Sequence, residues 1–230
     1  MSTGKDWPQD DNVLTLAERA YTSVKIDKIE SYWNEVRGQR LVPSRCEIDP
    51  RGLGSVLSHA FILERIAGGL ARFRIAGSHL ADVTGLELRQ MPISALFLPG
   101  SREQLSDAME AVFDEPAMVR MRITSPGGFG RPALEGELVL LPLRSDLGDV
   151  DRVLGGLVFH GRIGRTPRRI EIVNQSRKTL TGYAGPSHGR DVPNKDMPSG
   201  DHAPSSVSRA APALPKPSSR SYLKLVVSNE

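Results

Sequence analysis

The stretch of residues 73–88 constrains the fold of this chain more than any other part of the sequence. It begins as an alternating strand, in which Phe73 and Ile75 share one face and arginines occupy the other. A Gly-Ser pair then interrupts the strand, and the spacing of three residues between Leu80 and Val83 predicts a short helix. We expect this helix to lie across one side of a sheet, at the mouth of a cavity.

Alternation and turn signals predict the other strands. A Gly-Gly turn joins two short runs into an antiparallel hairpin, and three more runs follow a helical segment. The predicted strands span residues 60–66, 70–76, 117–124, 134–143 and 153–160. The sequence therefore predicts an α+β fold with a five-stranded antiparallel sheet and small helices on one face.

Two longer helices accompany the strands. One covers residues 101–113, and the other begins near Thr22 and carries apolar residues at spacings of three and four. Its apolar face comprises Ile26, Ile29, Tyr32, Trp33 and Val36, and the last four are the candidates for a dimer or partner face. This face needs cover, either from the chain's own sheet or from a second copy of the helix or another partner. Cover by the sheet is favoured, because the strand at residues 134–143 is apolar on both faces.

Composition divides the chain into a folded body and a basic tail. Residues 162–230 carry 12 of the 30 Lys and Arg but 5 of the 27 Asp and Glu. We interpret residues 1–24 as a flexible arm, 25–161 as the folded domain with its flanking helix, and 162–221 as a disordered linker rich in Pro, Gly and Ser. Residues 222–230 are a short apolar segment, either a docking peptide or a frayed terminus. The candidate docking residues are Tyr222, Leu223, Leu225, Val226 and Val227.

Composition also disfavours several classes of protein. The single cysteine, Cys46, excludes an intramolecular disulfide and a metal site of clustered cysteines. No run of the sequence approaches the ~20 apolar residues of a membrane-spanning helix, and the first residues lack the apolar core of a signal peptide. The body has no basic face for specific nucleic-acid binding. A cytoplasmic protein is therefore expected.

The sequence resembles the PAS domain family. The order of predicted elements is that of a PAS fold, and residues 77–85 lead through a Leu-Phe-x-Pro element at 96–99 into the long helix, as in that family. Shorter motifs similar to the bacterial subfamily of small stand-alone PAS proteins lie at residues 32–33, 42–45, 48–50, 73–78, 85–88 and 140–143. The resemblance covers about residues 25–161.

The resemblance implies a regulatory role. A cytoplasmic PAS protein of this kind is expected to act in signal transduction, often as a homodimer. It would bind a small ligand or contact a signalling partner such as a histidine kinase. A ligand-free dimeric scaffold is the alternative.

The resemblance also bears on cofactors. Haem-binding PAS domains carry a histidine on the long helix, and residues 101–113 contain none. Flavin photosensors of the adduct-forming type need a cysteine among the small helices, whereas Cys46 precedes the first strand. Haem and flavin are therefore disfavoured, and an unidentified small apolar ligand is the candidate that is left.

A pocket for such a ligand would be mainly apolar. Its candidate lining residues are Phe61, Leu63, Phe73, Ile75, His79, Leu80, Val83, Met109, Val112, Phe113, Met121, Ile123, Leu138, Leu140 and Leu157. Such a lining suits a small hydrophobic or aromatic molecule. The alternative, which we favour, is that these residues fill a solid core, because protein interiors contain few cavities.

Two further hypotheses concern charged residues. A catalytic carboxylate at Asp82 or Glu87 would need an apolar setting, and the sequence offers it neither a paired base nor a metal-ligand spacing, so an enzyme is the lesser hypothesis. Alternate arginines on two strands would form an anion-binding patch if those strands lay side by side. These are Arg72, Arg74, Arg120 and Arg122, with Glu135 and Glu137 as their alternative partners.

Overall fold

The structure is a computed structural model that describes residues 11–181, with side chains from residue 20 onward. The helices are α1 (Asp11–Arg37), α2 (Pro50–Leu53), α3 (Ser78–Thr84) and α4 (Arg102–Asp114). The strands are β1 (Ala60–Ala67), β2 (Leu70–Ala76), β3 (Ala117–Ser125), β4 (Leu134–Arg144), β5 (Val150–His160) and β6 (Glu171–Thr179). Single 3-10 turns at Arg45–Glu47, Gly54–His59, Ile93–Leu96 and Pro99–Ser101 connect them.

One antiparallel sheet lies at the centre, with its strands in the order β2-β1-β5-β4-β3-β6. α3 and α4 cover its inner face and α1 its outer face, so that an apolar cluster forms on each side. The middle strands β4 and β5 are buried on both faces, which explains their long apolar runs. The predicted α+β class, with an antiparallel sheet and small helices on one face, is confirmed.

Two adjacent glycines of β5 let side chains of the inner and outer apolar clusters pack directly against the backbone of the sheet. A Cβ atom added at Gly155 would lie 2.1 Å from the ring of Phe61, which packs on the inner face. A Cβ added at Gly156 would lie 2.5 Å from Cδ1 of Ile29, which belongs to α1 on the outer face. Only glycine fits at these two positions, because any side chain would collide with Phe61 on one face or with Ile29 on the other.

α1 starts earlier than predicted. It begins at Asp11 rather than near Thr22, so residues 11–24 are helical and not a flexible arm, while residues 1–10 lie outside the described part. Trp33 fixes the helix to the sheet, because it is fully buried and its Nε1–H donates a hydrogen bond to the carbonyl oxygen of Pro142 at 3.0 Å. Cover by the chain's own sheet, the favoured alternative, is what the structure shows.

A sixth strand corrects the predicted number of five and the predicted disorder from residue 162 onward. β6 pairs antiparallel with β3, from Ala117 opposite Thr179 to Thr124 opposite Glu171. Most of its side chains are exposed, so backbone pairing rather than apolar burial holds it in place. Residues 182–221 of the predicted linker lie outside the described part of the chain.

A buried arginine organises the segment that leads to β6. Arg168 is 1% exposed, and its guanidinium donates hydrogen bonds to the carbonyl oxygens of Ile163 (2.8 Å), Pro126 (3.4 Å) and Pro132 (2.5 Å). Its backbone N–H donates to the carbonyl of Val83 at 3.3 Å. Burial lowers the pKa of Arg168, but an arginine stays charged at neutral pH. Arg168 therefore joins two loops through its side chain and α3 through its backbone.

The strand-to-helix stretch is formed as predicted. β2 ends at Ala76, α3 begins at Ser78, and Gly85 ends it in the left-handed conformation with φ of 66°. The N–H of Gly85 donates to the carbonyl of Ala81 at 2.7 Å. Glycine suits this position because a side chain disfavours positive φ.

Candidate functional site

Thirteen of the fifteen candidate pocket residues meet in one cluster between the sheet and the two inner helices. None of them is more than 4% exposed. They are Phe61, Leu63, Phe73, Leu80, Val83, Met109, Val112, Phe113, Met121, Ile123, Leu138, Leu140 and Leu157. Phe61 and Phe73 pack edge to face, with ring centroids 5.4 Å apart. The cluster is the main core of the domain.

Ile75 is not part of that cluster, and its assignment to the pocket is wrong. Leu63 pairs with Phe73 and Ile62 with Ile75, so Arg74 is an extra residue in β2. Such a bulge reverses the alternation of side chains beyond it. Ile75 consequently points to the outer face, where it is 54% exposed.

His79 lies at the edge of the core rather than inside it. Its ring contacts that of His59, with centroids 4.2 Å apart, and its Nε2 accepts a hydrogen bond from the backbone N–H of Phe159 at 3.3 Å. Nζ of Lys25, on α1, lies 2.6 Å from Nε2 of His59. Periodicity and motifs do not indicate that these three residues meet, because they are separated along the chain by up to 54 positions (Lys25 to His79).

Burial keeps this histidine pair neutral. It lowers the pKa of His59 from 6.5 to about 4, and the neighbouring His79 and Lys25 add to the effect. Burial also lowers the pKa of His79, with a further contribution from Lys25, while Asp82 acts in the opposite direction. A neutral ring is what the contacts require, since Nε2 must keep its lone pair to accept the bond from Phe159.

We therefore expect the stability of the domain to fall as the pH falls from about 6.5 toward 4. In that range the unfolded chain binds protons that the folded state excludes, so unfolding becomes easier. The free energy of unfolding, measured by urea titration, should be about 1 kcal/mol lower at pH 5.5 than at pH 7.

A glutamine substitution separates this effect from other titrations. His59→Gln should reduce the difference between the two pH values, whereas His160→Gln, which changes the histidine that contacts Thr22, should preserve it. An unchanged pH dependence in His59→Gln would show that this residue is not the source.

The predicted dimer or partner face is only partly available. Ile29 and Trp33 are fully buried against the sheet, and these two assignments to an exposed face are wrong. Tyr32 and Val36 are half-buried. The hydroxyl of Tyr32 also bonds to the backbone of Asp49, accepting at 2.7 Å from its N–H and donating at 3.0 Å to its carbonyl.

The arginines of β2 and β3 do not form one patch. Three strands lie between β2 and β3. Arg120 of β3 bonds to Asp27 (2.7 Å) and Glu137 (2.8 Å). Arg72 of β2 bonds to Glu64 at 2.8 Å. The alternative prediction, in which these arginines pair with Glu135 and Glu137, is therefore correct for Arg120, which bonds to Glu137.

Open clefts lie at two places, one between α1 and the strands β3, β4 and β6, and the other at the edge strand β2. On the side of β3 and β6, clefts of about 410 and 440 Å³ are lined mainly by polar residues, among them Arg122 and Glu137. On the side of β2, clefts of about 470 and 440 Å³ share Arg74 and Arg89. Apart from Ile75 and Ile123, the apolar candidates do not line these four clefts, and each cleft presents charged side chains.

Other candidate groups give no constellation in the described part of the chain. Asp82 and Glu87 are exposed and do not lie in an apolar pocket. No group of three or more His, Cys, Asp or Glu side chains that is suited to a metal ion occurs among residues 20–181. No helix of the described chain has the length and apolar character to cross a membrane. The docking candidates at residues 222–227 lie outside the described residues.

Comparison with known families agrees with this fold. A family model described as a PAS domain matches residues 22–158, which is more than half of the chain. No curated protein and no solved structure matches the chain. The matched region runs from the middle of α1 to near the end of β5, and contains α3, α4, the first four strands and most of β5. The chain therefore belongs to the PAS domain family of sensory and regulatory modules.

Proposed function

We propose that this PAS domain is a regulatory protein of signal transduction that acts through its surface, by contact with a signalling protein. The division of the fold supports this function. The apolar pocket candidates pack on one another, whereas charged side chains line the open clefts. Residues that recognise a protein partner need to be accessible in this way.

The class of partner follows from the resemblance to small stand-alone bacterial PAS proteins. A cytoplasmic histidine kinase is the partner that we propose on that basis. The proposal includes no catalytic step. It includes neither haem nor flavin, and the position of His79 supports this, since its Nε2 is already engaged by the backbone of Phe159.

A homodimer is part of the proposal, with its face moved to the other side of α1. Tyr21 and Val24 are 59% and 50% exposed and lie three positions apart, so they share a face of the helix. The residues that bind the sheet, Ile26 and Ile29, lie on a different face and are fully buried. The exposed pair leaves α1 able to contact a second copy while it stays on its own sheet.

Native mass spectrometry of the full-length protein, with its visible absorption spectrum, tests the proposal. We expect the mass of the bare polypeptide, in multiples that report a dimer, and no visible absorption. The protein denatured in acid supplies the reference mass. A discrete added mass that disappears on denaturation would overturn the proposal in favour of a ligand sensor.

A further inference from the structure

Two clefts at the β2 edge of the sheet adjoin each other and together form a groove. They measure about 470 and 440 Å³ and share Arg74, Ile75 and Arg89. One end is rich in arginine, with Arg45 and Arg152 added to the shared residues. The other end is lined largely by backbone and apolar groups. We call this surface, made by residues 45–46, 74–78, 86–89 and 152, the arginine groove.

Two arginines of the groove, Arg74 and Arg152, share one carboxylate with a third arginine outside it. The carboxylate of Glu64 is shared between Arg72 (2.8 Å), Arg74 (3.5 Å) and Arg152 (2.8 Å). Arg152 also pairs with Asp151, at 2.8 Å.

Two arginines of the groove remain free for a ligand. Arg45 and Arg89 make no ion pair with any residue of the described chain. Asp146 is the carboxylate on the lining of the arginine-rich end, and Glu87 lies on the lining of the other end. A cationic side chain that lacks an internal partner can bind an anion without first breaking a salt bridge.

Two backbone irregularities lie beside this groove. The bulge at Arg74 turns Ile75 away from the core and places it beside Ile62 on the outer face. Gln90 has a positive φ of 68°, which is uncommon for a residue with a side chain. It follows Arg89 and begins a segment that bonds to the edge of β2, where its N–H donates to the carbonyl of Phe73 at 2.8 Å.

Both irregularities carry a cost in free energy. Bulges and left-handed residues are often found where a side chain is directed to a functional surface. Here they act on neighbouring parts of one groove, although they come from different segments of the chain. This coincidence distinguishes the arginine groove from a set of solvated surface arginines.

We propose that the arginine groove binds an acidic segment of the partner protein, with its carboxylates on Arg45 and Arg89 and an adjacent aliphatic side chain against Ile75 and Leu86. The apolar end supports this chemistry, because Ile75 and Leu86 are exposed there by 54% and 37%. The groove is open along its length, as an extended peptide requires. This inference rests on the proposed function, since it names the surface and the chemistry of the protein contact.

A peptide titration followed by NMR tests the assignment. The probe is a capped hexapeptide of four glutamates and two leucines, added to the full-length ¹⁵N-labelled protein at low ionic strength. We expect shifts of the backbone amides at residues 45, 74–75 and 86–89, and an affinity that falls as salt is added. Arg45→Glu together with Arg89→Glu should weaken binding at least tenfold.

The control has the same change of charge at distant positions. Arg122→Glu together with Lys178→Glu alters two exposed cations of β3 and β6, on the other side of α1, and should leave the affinity within twofold of that of the unchanged protein. Equal weakening by both sets of variants would mean that only overall charge is sensed, and would overturn the proposal. Binding of pyrophosphate as tight as that of the peptide would overturn it too, in favour of a small-anion site.

The apolar half of the groove has its own test. A second hexapeptide, in which serines replace both leucines, should bind at least threefold more weakly than the first. Equal binding would contradict a role for Ile75 and Leu86. If no peptide binds while native mass spectrometry gives a bare mass, the groove assignment fails but the surface-acting function stands. A bound ligand mass would contradict that function separately.

Discussion

Trp33→Glu is expected to unfold the domain. The indole is fully buried between α1 and the sheet, and its N–H is bonded to Pro142. Removal of a buried Trp side chain costs about 3–5 kcal/mol, and the carboxylate would have to be ionised in an apolar layer or become protonated there. Together, the lost side chain and the buried carboxylate cost an amount comparable with the total unfolding free energy of a typical domain, about 5–15 kcal/mol. Loss of near-ultraviolet circular dichroism and of dispersed amide signals would report the result.

The matched control lies on the opposite face of the same helix. Ser31→Glu places the same charge at an exposed position outside the proposed dimer pair, and its urea midpoint should stay close to that of the unchanged protein. A folded Trp33→Glu protein with an unaltered urea midpoint would contradict the packing of α1 on its own sheet. That result would instead place Trp33 in the dimer interface.

Replacement of Arg168 should cost about 2–4 kcal/mol of unfolding free energy. Arg168→Met preserves most of the volume of the side chain but removes the donors to the carbonyls of Ile163, Pro126 and Pro132. These groups hold together the loop before β4 and the segment before β6. We expect a lower urea midpoint, together with faster proteolysis within residues 126–132 and 162–170.

Arg165→Met is the control for this substitution. Arg165 is exposed and lies three positions away in the same segment, so the same change there removes a charge without removing the buried donors. Its urea midpoint and proteolytic pattern should match those of the unchanged protein. If both variants are equally stable, the three hydrogen bonds of Arg168 do not hold the loops.

The inner layer could be predicted from the sequence because burial follows simple periodicities there. Leu80 and Val83 point the same way from α3, and alternate residues of β3 and β4 face the core, as the patterns indicated. Whether the resulting cluster encloses space is a different matter. It depends on how side chains of known type interlock, which their spacing along the chain does not determine.

Two features of the fold could not be predicted from the sequence, namely β6 and the bulge at Arg74. β6 has exposed side chains along most of its length, so its sequence lacks the apolar alternation that identifies a half-buried strand. The bulge at Arg74 inverts a correctly predicted alternation after one extra residue, and it moved Ile75 from the core to the surface. Neither feature is decided by local propensity, because each depends on the pairing of β6 with β3 or of β2 with β1.

The arginine groove could not be predicted from the sequence for the same reason. Arg45, Arg89 and Arg152 come from three distant segments, and only the completed sheet brings them together. Sequence alternation did single out Arg74, but grouped it with arginines of β3 that lie beyond three intervening strands. The contact between the two histidines could not be predicted either, since His59 ends a 3-10 helix and His79 lies in the first turn of α3.

The placement of β6 gives the domain a mechanical property. The chain leaves the sheet through this edge strand, next to Pro116, whose carbonyl accepts a bond from the N–H of Leu180 at 3.1 Å. A force applied to the chain beyond Leu180 would load the β3–β6 ladder at one end, so its pairs would separate one after another, starting at Thr179. Ladders loaded in this manner yield at lower force than ladders sheared along their length, since only one pair resists at a time. β6 would thus peel away under tension while the five strands behind it stay paired.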